Sequence, residues 1–150
     1  MMTAPIEVVD VRQGTDQDAY HSLCAYALTH GGAEFIHQLV VDAWAAQHAD
    51  GRTKPIAITF ALLGLYLAVE RGLTGRQVQR IHMRLGREKH SWPAFELPVD
   101  RGTMTALDVM HKAEGPDRDR AIHEWCKSVW TAFAGNRDGI VELLTQHGVG

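Results

Sequence analysis

The sequence lacks most of the features that would assign a function at once. Its 150 residues include two cysteines, which excludes the secreted domains that a disulfide framework holds together. It contains no glycine-rich phosphate loop, no nucleophile elbow, no His-Glu-x-x-His and no Cys-x-x-Cys. These absences exclude the common nucleotide-binding, esterase, zinc-protease and thioredoxin-like classes.

Long hydrophobic runs and a strong charge imbalance are also missing. The most apolar stretch, PIAITFALLGLYLAV (Pro55 to Val69), is shorter than the ~20 residues that a membrane-spanning helix needs. The N-terminus has no basic start followed by an apolar run, so we expect no signal peptide. A formal net charge of −3 does not favour nucleic acid or an anionic membrane as a partner. We therefore predict a cytoplasmic protein with no membrane association.

What the chain does contain is a series of helix signals. Helix N-caps are predicted at four threonines: Thr15, Thr53, Thr74 and Thr105. Gln77 stands at capping-box spacing from the third of them. The segment KHSWPAFELPVDRG contains two prolines, so we expect it to be extended. The sequence predicts an all-α fold, an irregular bundle of five or six helices.

The first residues do not fit the helical pattern. Residues 1–14 contain PIEVVDV, which favours a short strand or an extended N-terminal arm lying on a neighbouring element. Residues 15–150 are then expected to form a single helical domain. Within it, Gly31 and Gly32 end the first helix, and the last helix, from about residue 117 to 146, has a break at Gly135 and Asn136.

The stretch HQLVVDAWAAQH, residues 37–48, draws attention because the chain has nine histidines. At 100° per residue, His37, Trp44 and His48 share one stripe of a helix, whereas Asp42 points about 140° away from His37. The two histidines are ~16 Å apart along the axis, so they cannot share one metal ion. One interpretation places a hydrogen-bonded His37 on the inner face of the bundle and His48 at the helix end.

The other interpretation is an internal ligand site. Glu34 and His37 have the Glu-x-x-His spacing of di-metal bundles, but no second copy of that motif is present, so a two-iron site is not predicted. Glu34, His37, Trp44 and His48 remain candidate residues for binding a small molecule.

Both cysteines follow a histidine by three residues. His21 and Cys24 would share a face of the first helix, and His123 and Cys126 a face of the last. Together the four side chains would suit a tetrahedral divalent metal such as zinc. The alternative is that each cysteine is a small core residue.

The fourth predicted helix carries Arg76, Arg80 and Arg84 on one side and an apolar face on the other. Locally this pattern is similar to a helix-turn-helix reader of DNA. Since the chain is net negative and has no second basic cluster, we predict a solvated face and no nucleic-acid partner.

Several stretches resemble one family of bacterial proteins, a domain of unknown function. HQLVVDAWAAQH is similar to that family's HRLTVDAYAAQH pattern, and the likeness continues through ALLGLYLAVERGL and GTMTALDV. It ends in EWCKSVWTAF, where Trp125 and Trp130 match a tryptophan pair. The resemblance covers roughly residues 33 to 145 and implies a helical fold, but it implies no activity.

The chain also departs from those relatives. Many of them carry two closely spaced cysteines near the N-terminus, a histidine near Ala61 and two adjacent histidines near Asn136 and Arg137. None of these residues is present here. If they bind a metal in the relatives, this chain lacks part of that site.

Two classes of function therefore stay open. The first is a protein with an internal histidine-containing site for a metal ion or small ligand. The second is a non-catalytic helical interaction module that acts through self-association, for example as a homodimer, or through a protein partner.

Overall fold

Seven α-helices form the described part of the chain, residues 6–30, 32–88 and 91–149 of this computed structural model. They are α1 (Ile6–His30), α2 (His37–Gln47), α3 (Pro55–Val69), α4 (Gly75–Gly86), α5 (Ala106–Met110), α6 (Pro116–Phe133) and α7 (Arg137–Gln146). No strand occurs in these ranges. The all-α bundle expected from the sequence is confirmed.

Two of the predicted helix starts have the capping geometry that their spacing indicated. The Thr74 hydroxyl accepts a hydrogen bond from the Gln77 amide, and the Gln77 side chain accepts one from the Thr74 amide. Thr105 and Asp108 make the same reciprocal pair at the start of α5. Each box satisfies backbone donors that a helix start would otherwise leave unpaired.

The extended conformation predicted for the first residues is wrong where the structure describes them. α1 begins at Ile6 and runs through Thr15 without interruption; residues 1–5 lie outside the described residues. The β-branched residues of EVVDV only weakly disfavour a helix, and the hydrogen bonds of a continuing helix outweigh that preference. Thr15 is therefore an internal residue of α1 and not its N-cap.

α3 is the central helix of the bundle. It packs against α2, α4, α6 and α7, and its residues from Ile58 to Leu67 are buried apart from half-buried Phe60. This surrounding contact explains why PIAITFALLGLYLAV is apolar on every side. Among the described residues, no helix combines the length and hydrophobicity that crossing a membrane requires.

The break predicted in the last helix is present. A single 3-10 turn, Ala134–Asn136, separates α6 from α7. Trp130 in the last turns of α6 donates its indole N–H to a carboxylate oxygen of Glu70 at 2.7 Å, and Arg137 at the start of α7 donates to the other oxygen at 2.7 Å. One carboxylate thus holds both helices against the end of α3.

The connection from α4 to α5 has no helix or strand in residues 91–105, as its prolines predicted. Arg101 fixes it to the C-terminus of α2. Its Nη1 donates to the carbonyl oxygens of Ala46, Gln47 and Ala49 at 3.2, 3.3 and 2.9 Å. A cation at the negative end of a helix dipole satisfies carbonyls that have no intrahelical partner.

Candidate functional site

The buried face of α2 is not the face that the histidine stripe marks. The buried residues are Leu39, Val40, Asp42, Ala43 and Ala46. His37 and Trp44 are half-buried, and His48 is exposed. The stripe predicted for the inner face therefore lies on the side that is partly open to solvent, and the one ionisable side chain facing the core is Asp42.

Asp42 is buried among three helices and only half of its carboxylate is bonded. The residue is 3% exposed. Its Oδ1 accepts a hydrogen bond from Gln38 at 3.1 Å, whereas Oδ2 has no hydrogen-bond partner among the described residues. Burial raises the pKa of Asp42 well above its usual range, and the Gln38 hydrogen bond counteracts this only in part.

Gly64 makes the space that Asp42 occupies. A Cβ atom on Gly64 would lie 1.8 Å from Oδ2 of Asp42 and 3.3 Å from Cε1 of His82. A glycine inside a helix costs about 1 kcal/mol relative to alanine. In α3 its missing side chain is what admits a carboxylate and an imidazole to the centre of the bundle.

His82 enters the same space from α4. The residue is 9% exposed, and its Nε2 lies 4.0 Å from Oδ2 of Asp42 with no hydrogen-bond partner among the described residues. The backbone of Phe60 also interacts with the ring. Burial lowers the pKa of His82 to about 4, and the Phe60 hydrogen bond counteracts this in part.

Aromatic rings separate His82 from solvent. Phe60 stacks on the imidazole with ring centroids 5.0 Å apart, and Trp92 packs edge-on against Phe60 at 5.2 Å. Trp92 belongs to the connection between α4 and α5. That connection therefore covers the side of the bundle where His82 lies.

The charge of Asp42 also acts on residues of α1 and α6. The pKa of Tyr20 is raised by burial, by a hydrogen bond with Cys24 and, to a smaller extent, by the Asp42 carboxylate. The pKa of Cys126 is raised by burial and then by Asp42, and its Sγ donates to the Leu39 carbonyl at 3.5 Å. Because both thiols have raised pKa values, neither is an activated nucleophile.

The histidine stripe of α2 instead takes part in a stack of rings shared with α1. Tyr20 lies flat on Trp44 with centroids 4.3 Å apart, and Trp44 lies on His48 at 3.6 Å. His48 Nε2 is 3.3 Å from Oδ2 of Asp16. Two residues of the predicted ligand site, Trp44 and His48, thus hold α1 against α2.

The structure does not assemble the predicted zinc site. His21 and His123 are exposed, Cys24 is half-buried and Cys126 is buried. Across the part of the chain that is described, no three histidine, cysteine, aspartate or glutamate side chains come close enough together to hold a metal. The i, i+3 spacing placed each pair on one helix face, but it did not determine the direction of that face.

His37 and Glu34 are placed near the start of α2. Glu34 is exposed and His37 half-buried; Nδ1 of His37 is inaccessible and has no partner among the described residues. Burial lowers the pKa of His37. Phe35, between them, has a φ of 53°, a left-handed conformation that costs a residue with a side chain about 1–2 kcal/mol.

Two adjoining cavities open between α2, α3, α4 and α6. The first, of about 260 Å³, is lined by Glu34, Ile36, Leu39, Ala68, Gly72, Leu73, Thr74, Gly75 and His123. The second, of about 220 Å³, is lined by Ala68, Val69, His123, Cys126 and Lys127. They share Ala68 and His123, so the exposed histidine of α6 stands between them.

The basic residues of α4 do not form one free face. Arg80 is exposed, but the Arg76 guanidinium lies 4.4 Å from the centre of the Phe35 ring. Arg84 donates to the His147 carbonyl at 2.7 Å. Two of the three arginines therefore make contacts with other residues of the chain.

Sequence reasoning missed the pairing of Asp42 with His82, although signals for it exist. His82 follows Val78 by four residues on the apolar face of α4, and Gly64 interrupts an otherwise apolar helix. A histidine, an aspartate and a glycine, each on a buried helix face, together indicate a shared polar cluster. No single helix contains that information.

A family model described as "Family of unknown function (DUF5946)" matches residues 6–134. No curated protein and no solved structure matches the chain.

Proposed function

Because the chain belongs to DUF5946, a family of unknown function, we propose a function from its own geometry: it binds a small molecule in the two adjoining cavities around His123. The observation that carries this proposal is that the cavities share Ala68 and His123. Ligand pockets commonly have volumes of about 300–1,000 Å³. The pair together is of the size that a small ligand requires.

The lining of the larger cavity indicates the chemistry of the ligand. Ile36, Leu39 and Leu73 give it an apolar wall, and the exposed Glu34 and His123 lie where it meets solvent. A carboxylate accepts hydrogen bonds and cannot donate them. The ligand we propose therefore has an apolar body and one hydrogen-bond-donating end, an amine or a hydroxyl.

The rim of this cavity is conformationally constrained, which supports the proposal. Phe35, with its left-handed backbone, lies between the cavity residues Glu34 and Ile36. A Cβ on Gly75 would be 1.9 Å from the Phe35 carbonyl oxygen, so only glycine allows α4 to begin there. Strained backbone is common where a fold shapes a binding site.

Three probes of similar size test the head-group preference: 2-phenylethylamine, 2-phenylethanol and 3-phenylpropionate. We expect the amine and the alcohol to cause saturable shifts of the backbone amide NMR signals of Ala68 and of residues 72–75. The carboxylate should cause none, since Glu34 repels it. No saturable shift with any probe would overturn the proposal, and a preference for the carboxylate would overturn the assigned ligand chemistry.

A matched pair of variants locates the binding. Ala68→Leu adds volume at the point that both cavities share and should weaken amine binding at least tenfold. Ala45→Leu is the control, because Ala45 is also a half-buried alanine packed against the core but lines neither cavity. Equal weakening by both substitutions would mean that the probe binds elsewhere.

The second candidate function, an interaction module, has one observation in its favour. Three large apolar side chains are well exposed: Leu28 at 60%, Met83 at 53% and Val99 at 103%. Scattered apolar side chains are ordinary on protein surfaces, so this support is weaker than a cavity. Sedimentation equilibrium of the wild type and of Leu28→Lys and Met83→Lys variants tests it. A dimer that a lysine dissociates would select this function, and a monomer at every concentration would exclude self-association.

We also propose a cytoplasmic location. Cys24 and Cys126 are both free thiols, a state that reducing compartments maintain.

A further inference from the structure

We propose that the outer face of α4 binds an acidic helical segment of a partner protein. This face is a basic stripe, defined by Arg76, Arg80, Met83, Arg84 and Arg87. None of these residues lines either cavity around His123, so the proposal goes beyond small-molecule binding and does not depend on it.

The basic stripe follows from the period of the helix. At 100° per residue, its five side chains fall within an arc of about 100°. They extend over about 16 Å, which is about three turns of helix. Val78, His82 and Leu85 on the opposite side are buried, whereas every member of the stripe except half-buried Arg76 is exposed. One side of α4 therefore packs in the bundle, and the other presents the stripe to solvent.

The charges of the stripe are not neutralised by other described residues. Arg76 lies over the ring of Phe35, and Arg84 donates to the carbonyl oxygen of His147. Both of these partner groups are uncharged, so the contacts position the guanidinium groups but leave their charge in place. No ion pair among the described residues includes any arginine of the stripe.

The surrounding sequence concentrates this positive charge. Residues 51–88 contain seven lysines and arginines but only two acidic residues, Glu70 and Glu88. Glu70 pairs with Arg137 and Glu88 with His147, so neither pairs with the stripe. The segment thus has a net charge of +5, and the rest of the chain, with eight basic and sixteen acidic residues, has −8. The overall charge of −3 conceals this separation of a basic segment from an acidic remainder.

Met83 indicates that the partner is a protein segment. It is 53% exposed and lies between Arg80 and Arg87, three residues after the first and four before the second. An exposed methionine amid cations favours a partner that places an apolar side chain among its carboxylates, and an acidic amphipathic helix has this pattern. A nucleic acid or an anionic membrane is negative far beyond the ends of the stripe, so the acidic remainder of the chain would repel it.

Fluorescence anisotropy with the full-length chain tests the proposal. The probe is a fluorescein-labelled helical peptide of glutamate, leucine and alanine, as long as α4, and its control has glutamine in place of every glutamate. We expect saturable binding of the glutamate peptide in about 0.1 M salt and no binding of the control. In about 1 M salt, where the screening length falls from about 10 Å to about 3 Å, binding should weaken at least about tenfold.

Two charge reversals and one matched control locate the binding. Arg80→Glu and Arg87→Glu should each weaken peptide binding at least about fivefold, because each replaces an attraction by a repulsion. Both residues are exposed, so circular dichroism should show unchanged helix content. Arg120→Glu makes the same change of net charge on α6, where the side chain is 67% exposed, and should leave binding unchanged.

Four results would overturn the proposal. The first is the absence of saturable binding by the glutamate peptide, and the second is equal weakening by Arg120→Glu and the two stripe variants. The third is tighter binding of duplex DNA or of phosphatidylserine vesicles than of the peptide, which would assign the stripe to a different class of partner. The fourth is a wild-type dimer that Arg80→Glu dissociates in sedimentation equilibrium, which would assign the stripe to a second copy of the chain.

Discussion

Nε1 of Trp125 donates a hydrogen bond to Oε1 of Gln47 over 3.0 Å, which joins α6 to the end of α2. The other side of the Gln47 amide donates to the carbonyl oxygens of Arg101 and Met104 at 3.2 and 2.7 Å. Trp125 is fully buried. The first tryptophan of the pair therefore holds two helices and a connection together, just as Trp130 holds α6 to Glu70.

Trp125→Ala and Leu63→Ala should each lower the free energy of unfolding by about 2–5 kcal/mol, because both side chains are wholly buried. Arg80→Ala should lower it by less than about 0.5 kcal/mol, since Arg80 is exposed. Urea denaturation of the three variants measures these differences. A cost at Arg80 equal to the other two would show that this arginine has a buried role.

Gly64→Ala should be strongly destabilising, by about 2 kcal/mol or more, because its Cβ would overlap Oδ2 of Asp42. In an Asp42→Ala background the overlap disappears, so the same substitution should cost much less. The double-mutant cycle measures that coupling free energy from chemical denaturation. Gly135→Ala is the control, because nothing lies within 4 Å of a Cβ at that position. Additive effects of Gly64→Ala and Asp42→Ala would contradict the placement of the carboxylate.

The two thiols should differ in their reaction with iodoacetamide at neutral pH. Burial raises the pKa of both, so both should react more slowly than a free cysteine. Cys24 is half-buried and should be modified in the folded chain, whereas Cys126 is 1% exposed and should be modified only when the chain unfolds. Mass spectrometry over time, repeated in urea, measures both rates. Fast modification of Cys126 in the native chain would contradict its burial beside Leu39.

The contribution of His37 to stability should depend on pH. Burial lowers the pKa of His37 in the folded chain, so between that pKa and the ordinary value of ~6.5 the unfolded chain binds the extra proton. The stability that His37 contributes is therefore complete above the ordinary value and is lost as the pH falls below it. The difference in unfolding free energy between the wild type and His37→Gln, measured from pH 7.5 to 5.5, should shift against the wild type. A shift in its favour would show that the charged ring has a partner.

Most of the fold was predictable because its signals are local. The boxes at Thr74 and Thr105 and the break after Phe133 each depend on a few neighbouring residues. The start of α1 was not predictable in this way, because the weak strand preference of EVVDV gave no information about the helix that continues from it. Propensity is a weak prior when neighbouring residues favour a different structure.

The candidate site was less predictable because α2 is apolar on more than one side. α2 has Val41 and Trp44 on one face and Leu39 and Ala43 on the other, so its periodicity does not show which face is buried. The prediction therefore relied on the two terminal histidines, and the face that they indicate is not the buried one. Asp42 is correctly placed only when His82 and Gly64 are known to face it. Those residues lie in two other helices, and their meeting is a property of the packing.

The engagement of Arg101 has a consequence for proteases. Trypsin must draw an arginine side chain fully into its specificity pocket before it can cut, and the Arg101 guanidinium is bound to three carbonyl oxygens at the end of α2. Arg52, in the turn between α2 and α3, is exposed and is the easier residue to capture. A brief digestion should therefore cut after Arg52 before it cuts after Arg101, which reverses the order that the lengths of the short turn and of the proline-containing connection would suggest.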